Sequence, residues 1–188
     1  MKLRIIAGIH GGRFITAPKG QTTRPTAARI REAWFSAVGD DIRHAKVLDL
    51  CSGSGALGIE ALSRGARHVH FVEADRRTVS TLKRNVAELG IESQSTIIRA
   101  DALHYVVRNH EMFDVAFADP PYGSSLAKEL LSQFRKQAFA GQLWIEHDGS
   151  DGVSDGASWT RCYGETNVSG HWADVLVHNN EPPQPDFE

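Results

Sequence analysis

The chain has 188 residues, 41% hydrophobic and 23% charged, the proportions of one globular domain that buries a core without disulfide or metal staples. No apolar run approaches the ~20 residues of a membrane helix, MKLRIIAGIHGG lacks the apolar core of a signal peptide, and Cys51 and Cys162 are too few for a disulfide framework, so a cytoplasmic protein with both cysteines as buried thiols is expected. The formal charge of −2 hides an asymmetry: residues 1–46 carry nine Lys or Arg against three acids, a balance of +6 on an otherwise acidic chain.

Such a segment fits either a polyanion-binding face or a solvated surface, and charge alone does not choose. Within it, LRIIAG (3–8) and RFITAP (13–18) flank His10-Gly11-Gly12 and predict a β-hairpin. KGQTTRPT is a polar loop. Thr26 then caps a helix over Ala27–Val38, whose apolar positions Ile30, Trp34 and Val38 recur at helical spacing. Trp34 reads as core.

From Lys46 the pattern becomes strand, helix, strand, helix. VLDL (47–50) is a buried strand, followed by a helix over Ala56–Arg64 closed by Gly65. HVHFVEA (68–74) precedes a helix opened by Asp75 and ended at Gly90. STIIRAD (95–101) leads into a short helix through Val107, FDVAFAD (113–119) into a helix over about 126–138, and QLWIEH (142–147) is a fifth strand. This alternation predicts an α/β fold, a parallel sheet with helices on both faces. SWTRCYGET and HWADVLVH read as two strands of a C-terminal antiparallel hairpin, and NNEPPQPDFE as a disordered tail.

Gly53, Gly55 and Gly58 follow the first of these strands and satisfy G-x-G-x-x-G, with Glu73 at the end of the next strand placed to accept ribose hydroxyls. A nucleoside-containing cofactor is expected, held by Asp49, Ser52, Gly53, Gly55, Glu73, Ala74, Asp101 and Ala102. Asp49, four residues before the first glycine, would repel a pyrophosphate but suits a cationic amino group. Asp101 is placed to meet an adenine amine. Those features favour S-adenosylmethionine over a dinucleotide. Each acid could instead simply cap a helix or end a strand, but three at successive strand ends fall where open α/β sheets bind ligands. Cys51, in the same loop, reads as a packing residue.

Asp119-Pro120-Pro121-Tyr122 ends the fourth strand and opens on the same sheet edge. The chemistry fits an exocyclic amine of a nucleobase, whose lone pair is delocalised into the ring. Hydrogen bonds from the amine to the Asp119 carboxylate and the Pro120 carbonyl would localise that lone pair and aim it at a sulfonium methyl. Tyr122 would stack on the base. His68 and His70 find no third ligand at metal-binding spacing, so no metal is expected.

Asp-Pro-Pro-Tyr with the D-x-x-x-G-x-G loop resembles the amino-group methyltransferases of adenine N6, cytosine N4 and guanine N2. RIIAG (4–8), GGRF (11–14), TRPTAARIREAWF (23–35), LDLCSGSGALGIEALSRGA (48–66) and FVEAD (71–75) together resemble the RsmD family over roughly residues 3–178. The resemblance implies a Rossmann-like class I methyltransferase with a seven-stranded, mostly parallel sheet and S-adenosyl-L-methionine as donor. It also implies a monomer acting on guanine N2 in 16S rRNA or an assembling small ribosomal subunit, at guanine 966 in the family. Residues 1–45 would be a basic extension, 46–178 the methyltransferase domain and 179–188 a flexible tail. Arg24, Arg29 and Arg31 lie in the family signature and, with Arg13 beside the hairpin, are the candidate RNA contacts, a solvated helix face being the other reading. Ala28, Ser36 and Cys51-Ser52 depart from the family pattern, which carries Asp, Asn and an aromatic-Ala pair there. An adenine-N6 methyltransferase of DNA or RNA would share the Asp119 loop. A nicotinamide-dependent oxidoreductase would share the glycine loop but leave Asp119–Tyr122 unexplained.

Overall fold

The computed structural model describes residues 1–17, 25–149 and 152–173, residues 25–27 by backbone alone. Strand β3 (Lys46–Leu50) is the axis of the fold: it pairs in parallel with β4 (His68–Glu73) on one side and β6 (Phe113–Ala118) on the other. With β5 (Ser95–Arg99), β7 (Ala140–His147), β8 (Trp159–Tyr163) and β9 (Thr166–Trp172) it forms a seven-stranded sheet in the order β5-β4-β3-β6-β7-β9-β8. The chain reverses direction across the sheet between β3 and β6, and in open α/β sheets ligands bind in the crevice at that point. The expected α/β architecture with its antiparallel C-terminal hairpin is the one observed.

Period-two alternation divides the core. Val47, Val69, Phe71, Val115, Phe117 and Trp144 face α1 (Pro25–Val38), α2 (Ala56–Ser63) and α3 (Arg76–Leu89). Leu48, Leu50, Val72, Ala116, Leu143 and Ile145 face α4 (Ala102–Arg108) and α5 (Leu126–Lys136). Trp34 is core, 1% exposed and stacked on Phe117 at 5.6 Å. Asp75 caps α3 by accepting from the Thr78 N–H, and Gly90 closes it in the left-handed region at φ +71°.

Several boundaries move. Helix α1 begins at Pro25, so Thr26 lies inside its first turn instead of capping it; proline is favoured there because its φ is already helical. The C-terminal turn falls at Gly164-Glu165, Gly164 supplying φ +69°, so Thr166 starts the second strand of the hairpin and does not end the first. Positions 174–178 of the expected last strand, the tail over 179–188 and most of the polar loop (18–24, including Arg24) lie outside the described residues.

The N-terminal hairpin is looser than its sequence implied. Only β1 (Lys2–Arg4) and β2 (Phe14–Thr16) pair, with Leu3 opposite Ile15. The intervening loop binds α2 because its backbone donors find acceptors there. Glu60, 1% exposed, accepts from Ile6 N–H at 2.8 Å and Ala7 N–H at 3.0 Å, while Ile9 N–H donates to the Ser63 carbonyl at 2.8 Å. A Cβ on Gly8, at φ +80°, would fall 1.7 Å from that carbonyl oxygen, so only glycine lets the loop lie so close. The Asn85 side chain joins β2 to the glycine loop, accepting from Thr16 N–H and donating to the carbonyls of Thr16 and Ser54.

Candidate active site

The loop after β3 turns through three left-handed residues, Cys51 at φ +58°, Gly53 at +56° and Gly55 at +82°. Its bends are fixed from below. Ser52 N–H donates to the Val72 carbonyl, and Ser52 Oγ donates to the carbonyls of Asp49 (2.6 Å) and Val72 (3.1 Å). Gly53 N–H donates to Glu73 Oε2 at 2.9 Å and Gly58 N–H to Asp49 Oδ2 at 2.9 Å. A Cβ on Gly58 would meet Phe71 at 2.3 Å and Asp49 Oδ2 at 2.9 Å, so the third glycine lets α2 close down on the sheet. Asp49, wholly buried, has its carboxyl pushed up to about 7 by desolvation; the Gly58 hydrogen bond opposes the rise and the nearby Glu73 charge adds to it.

Ser52, read as a cofactor contact, donates its hydroxyl inside the loop and braces the turn, while the residue also borders the larger of the two cavities at this edge.

Two cavities open at this edge of the sheet. The first, about 490 Å³, is bordered by Glu73, Ala74, Thr78, Asp101, Ala102 and Pro120. Glu73 Oε1 accepts from Asp75 N–H at 2.8 Å, and Asp101 Oδ1 accepts from His104 N–H at 2.8 Å, capping α4. Each acid therefore keeps lone pairs for a ligand while being held by backbone. The second, about 650 Å³, lies under α1 and the C-terminal turn, against Ile30, Trp34, Leu57, Tyr163, Glu165 and Thr166. Cys51, Gly53, Asp119, Tyr122 and Glu146 border both. Asp119 is thus at the junction.

The Asp119 carboxyl opens to the cavities, yet the surrounding protein desolvates it and, with the charges of Glu146 and then Asp49, pushes it up to about 8. Tyr122 Oη donates to Glu146 Oε1 at 2.6 Å and lies 2.6 Å from Thr166 Oγ1. The ring is held between two strands while 54% of the residue stays exposed. Burial raises Glu146, opposed by its bond to Tyr122, and burial followed by the hydrogen bond to Glu146 raises the tyrosine, which stays neutral. Cys51 is pushed up to about 12 by burial and by four surrounding carboxylates, so its thiol is no nucleophile; Cys162, expected to be buried, is exposed because it lies on the edge strand β8.

The four arginines separate. Arg31 is largely buried, donating from Nη2 to the Arg4 carbonyl at 2.9 Å with Nε 4.0 Å from Glu60, so it ties β1 to α2 while still bordering the larger cavity. Arg13 is exposed, but its guanidinium donates to the carbonyls of Glu88 (2.8 Å) and Leu89 (3.5 Å) at the C-terminal end of α3. Arg29 is exposed. Arg24 lies outside the described residues.

Glu146 and Thr166 were absent from the sequence-based site. Glu146 carried the same signal as Asp49, Glu73 and Asp101, an acid at the end of an apolar strand. Thr166 carried none. Among the described residues no group of three His, Cys, Asp or Glu is placed to hold a metal ion, and no helix is long and apolar enough to cross a membrane.

The profile of the family described as conserved hypothetical protein 95 matches residues 3–166. The ribosomal RNA small subunit methyltransferase D of Buchnera aphidicola is 33% identical over 163 residues, 85% of each chain. Its namesake from Escherichia coli K12 is 30% identical over 155 residues, 81% of this chain and 78% of that protein. Among solved structures, the Thermus thermophilus 16S rRNA N2 G1207 methyltransferase RsmC, in complex with AdoMet and guanosine, superposes with a TM-score of 0.71 at 19% identity. The match covers 92% of this chain and 49% of that one, and shows a shared fold.

Proposed function

Because the chain belongs to the conserved hypothetical protein 95 family, the RsmD family of ribosomal RNA methyltransferases, we propose that it methylates the exocyclic N2 amine of a guanine in small-subunit 16S rRNA, in the cytoplasm, with S-adenosyl-L-methionine as donor. The enzyme is an rRNA methyltransferase; the base, the amine and the residue roles are the proposal. The observation that carries it is the meeting of two cavities at Asp119, one edged by the carboxyl groups of Glu73 and Asp101 and the other roofed by α1 and the C-terminal turn.

The donor set of the smaller cavity fits the proposed cofactor. Glu73 would accept ribose hydroxyls and Asp101 with Ala102 would meet the adenine edge, while Asp49, which borders the larger cavity next to the glycine loop, would face the amino group of the methionine part. A pyrophosphate would meet the same carboxylates as like charges, which disfavours a dinucleotide. When bound, S-adenosylmethionine supplies a methyl group already activated on a sulfonium.

Where the cavities meet, Asp119 and the Pro120 carbonyl, the latter on the side of the smaller cavity, would accept the two N–H groups of the amine, turning its lone pair out of conjugation and toward the donor. Tyr122, held by Glu146 and Thr166, would stack on the base. The target must be looped or flipped out, at an unpairing cost of roughly a few kcal/mol. Arg29 and the basic surface around the N-terminal hairpin remain the phosphate contacts of this reading, which predicts strong salt dependence.

The test is methyl transfer to 30S particles, free 16S rRNA and duplex DNA, with the product identified by mass spectrometry of nuclease digests. N2-methylguanine in rRNA is expected, and labelling of DNA alone overturns the reading. Asp119→Ala is expected to abolish turnover while S-adenosylhomocysteine still binds within about threefold by calorimetry; retained turnover removes Asp119 from its role.

A further inference from the structure

Asp119 with a proline carbonyl explains how an amine is gripped but not which base carries it, because adenine, cytosine and guanine all present an exocyclic amine. We propose that Glu146 selects guanine, by accepting the N1–H that lies beside the N2 amine on the same edge of the base. The inference rests on the guanine reading above and names the residue that enforces it.

The placement follows from strand register. Ala118 pairs with Ile145 across the parallel strands β6 and β7, so the next residues, Asp119 and Glu146, emerge side by side at the C-terminal edge. Both border the larger cavity where the base would sit. Tyr122 Oη fixes one oxygen of Glu146 at 2.6 Å, and the same hydroxyl is 2.6 Å from Thr166 on β9. The other oxygen of Glu146 takes no hydrogen bond among the described residues. The carboxyl is therefore oriented beforehand, with acceptor capacity left over.

Two adjacent carboxyls match two adjacent donors. Guanine offers N2–H and N1–H side by side. In adenine the amine is flanked by N1, and in cytosine by N3, each an acceptor whose lone pair would confront the Glu146 carboxylate. Guanine alone forms a second charge-assisted hydrogen bond, while the other bases leave a carboxylate facing a lone pair in a partly desolvated site. Sites built to hydrogen-bond one group reject analogues lacking it by far more than apolar pockets do, by as much as about 10⁴-fold.

The experiment places guanine or 2,6-diaminopurine at the mapped methylation site of ligated 16S rRNA and measures kcat/KM for each. Diaminopurine keeps the N2 amine but has an acceptor at N1. The unaltered enzyme is expected to prefer guanine by at least about 100-fold. Glu146→Gln, whose amide can donate to that acceptor, is expected to lose at least tenfold on guanine and gain on diaminopurine, bringing the ratio within about tenfold. Glu146→Asp keeps a carboxylate and retains the guanine preference at a lower rate, which carries the test should the glutamine variant not fold. Tyr122→Phe leaves the ratio above about 30 while lowering both rates.

An unchanged ratio in Glu146→Gln overturns the inference. So does a Tyr122→Phe enzyme that shifts the ratio equally, because Glu146 would then act only by holding the ring. If the unaltered enzyme makes no N2-methylguanine in native rRNA, the guanine reading falls and takes the inference with it. A guanine product with an unaffected ratio removes Glu146 alone.

Discussion

Asp49→Asn separates what a candidate ligand-binding acid does for the fold from what it is proposed to do for the ligand. Asp49 is 1% exposed, and its carboxyl is raised from 3.8 to about 7, chiefly by burial. A carboxyl raised on folding binds more protons in the folded state than in the unfolded one. Stability therefore falls as pH climbs from the unfolded value toward the folded one, then levels off. At 1.36 kcal/mol per pKa unit, the rise withholds about 4 kcal/mol from the ligand-free protein at pH 8 and about 2 kcal/mol at pH 5. Asparagine removes the charge and keeps an oxygen for the Gly58 N–H, which now lies 2.9 Å from the carboxylate. The variant is thus expected to be more stable than the parent, with Tm higher by about 10 °C at pH 8 and by about half that at pH 5. Its affinity for S-adenosylmethionine should fall at least tenfold, because the cationic amino group loses its counter-charge. Thermal unfolding at the two pH values and calorimetry with the cofactor measure both effects. A gain equal at pH 5 and pH 8, or no gain at all, would refute the assignment of a strained buried charge.

Other consequences concern the proposed amine clamp and the N-terminal dock. With Asp119 raised to about 8 and its ionised form the better acceptor, kcat/KM should climb with pH below about 8 and flatten above it. Asp119→Asn should abolish that limb, and a parent profile already flat between pH 6 and 9 would contradict it. Glu60→Ala strands the N–H groups of Ile6 and Ala7 and the nearby guanidiniums of Arg31 and Arg64. A loss of about 3 kcal/mol in urea unfolding is expected, and a loss under about 1 kcal/mol would show that the loop does not depend on this acid.

Much of the site was readable along the chain because its logic is local and repetitive. Parallel strands end on one edge, so acids at or within two residues of their ends, Asp49, Glu73 and Asp101, must gather there whatever else the chain does. Glycines at 53, 55 and 58 announce a turn whose backbone conformation and close packing exclude a side chain. The alternation of apolar runs and helical spacings from Lys46 determined the layered sheet in the same way, within a few residues at each boundary.

What the tertiary structure alone decided is how residues distant in sequence divide their hydrogen bonds. Arg31 has the charge and spacing of a phosphate ligand on an exposed helix face, yet it is buried because the Arg4 carbonyl and Glu60 arrive from other segments to meet it. Tyr122 looks like a free stacking ring until Glu146 and Thr166, from two other strands, take its hydroxyl. Short-range chemistry fixes where the backbone bends and which side chains share an edge. Whether a charge there faces ligand, solvent or another buried group depends on partners that only the assembled sheet and helices bring within hydrogen-bonding distance.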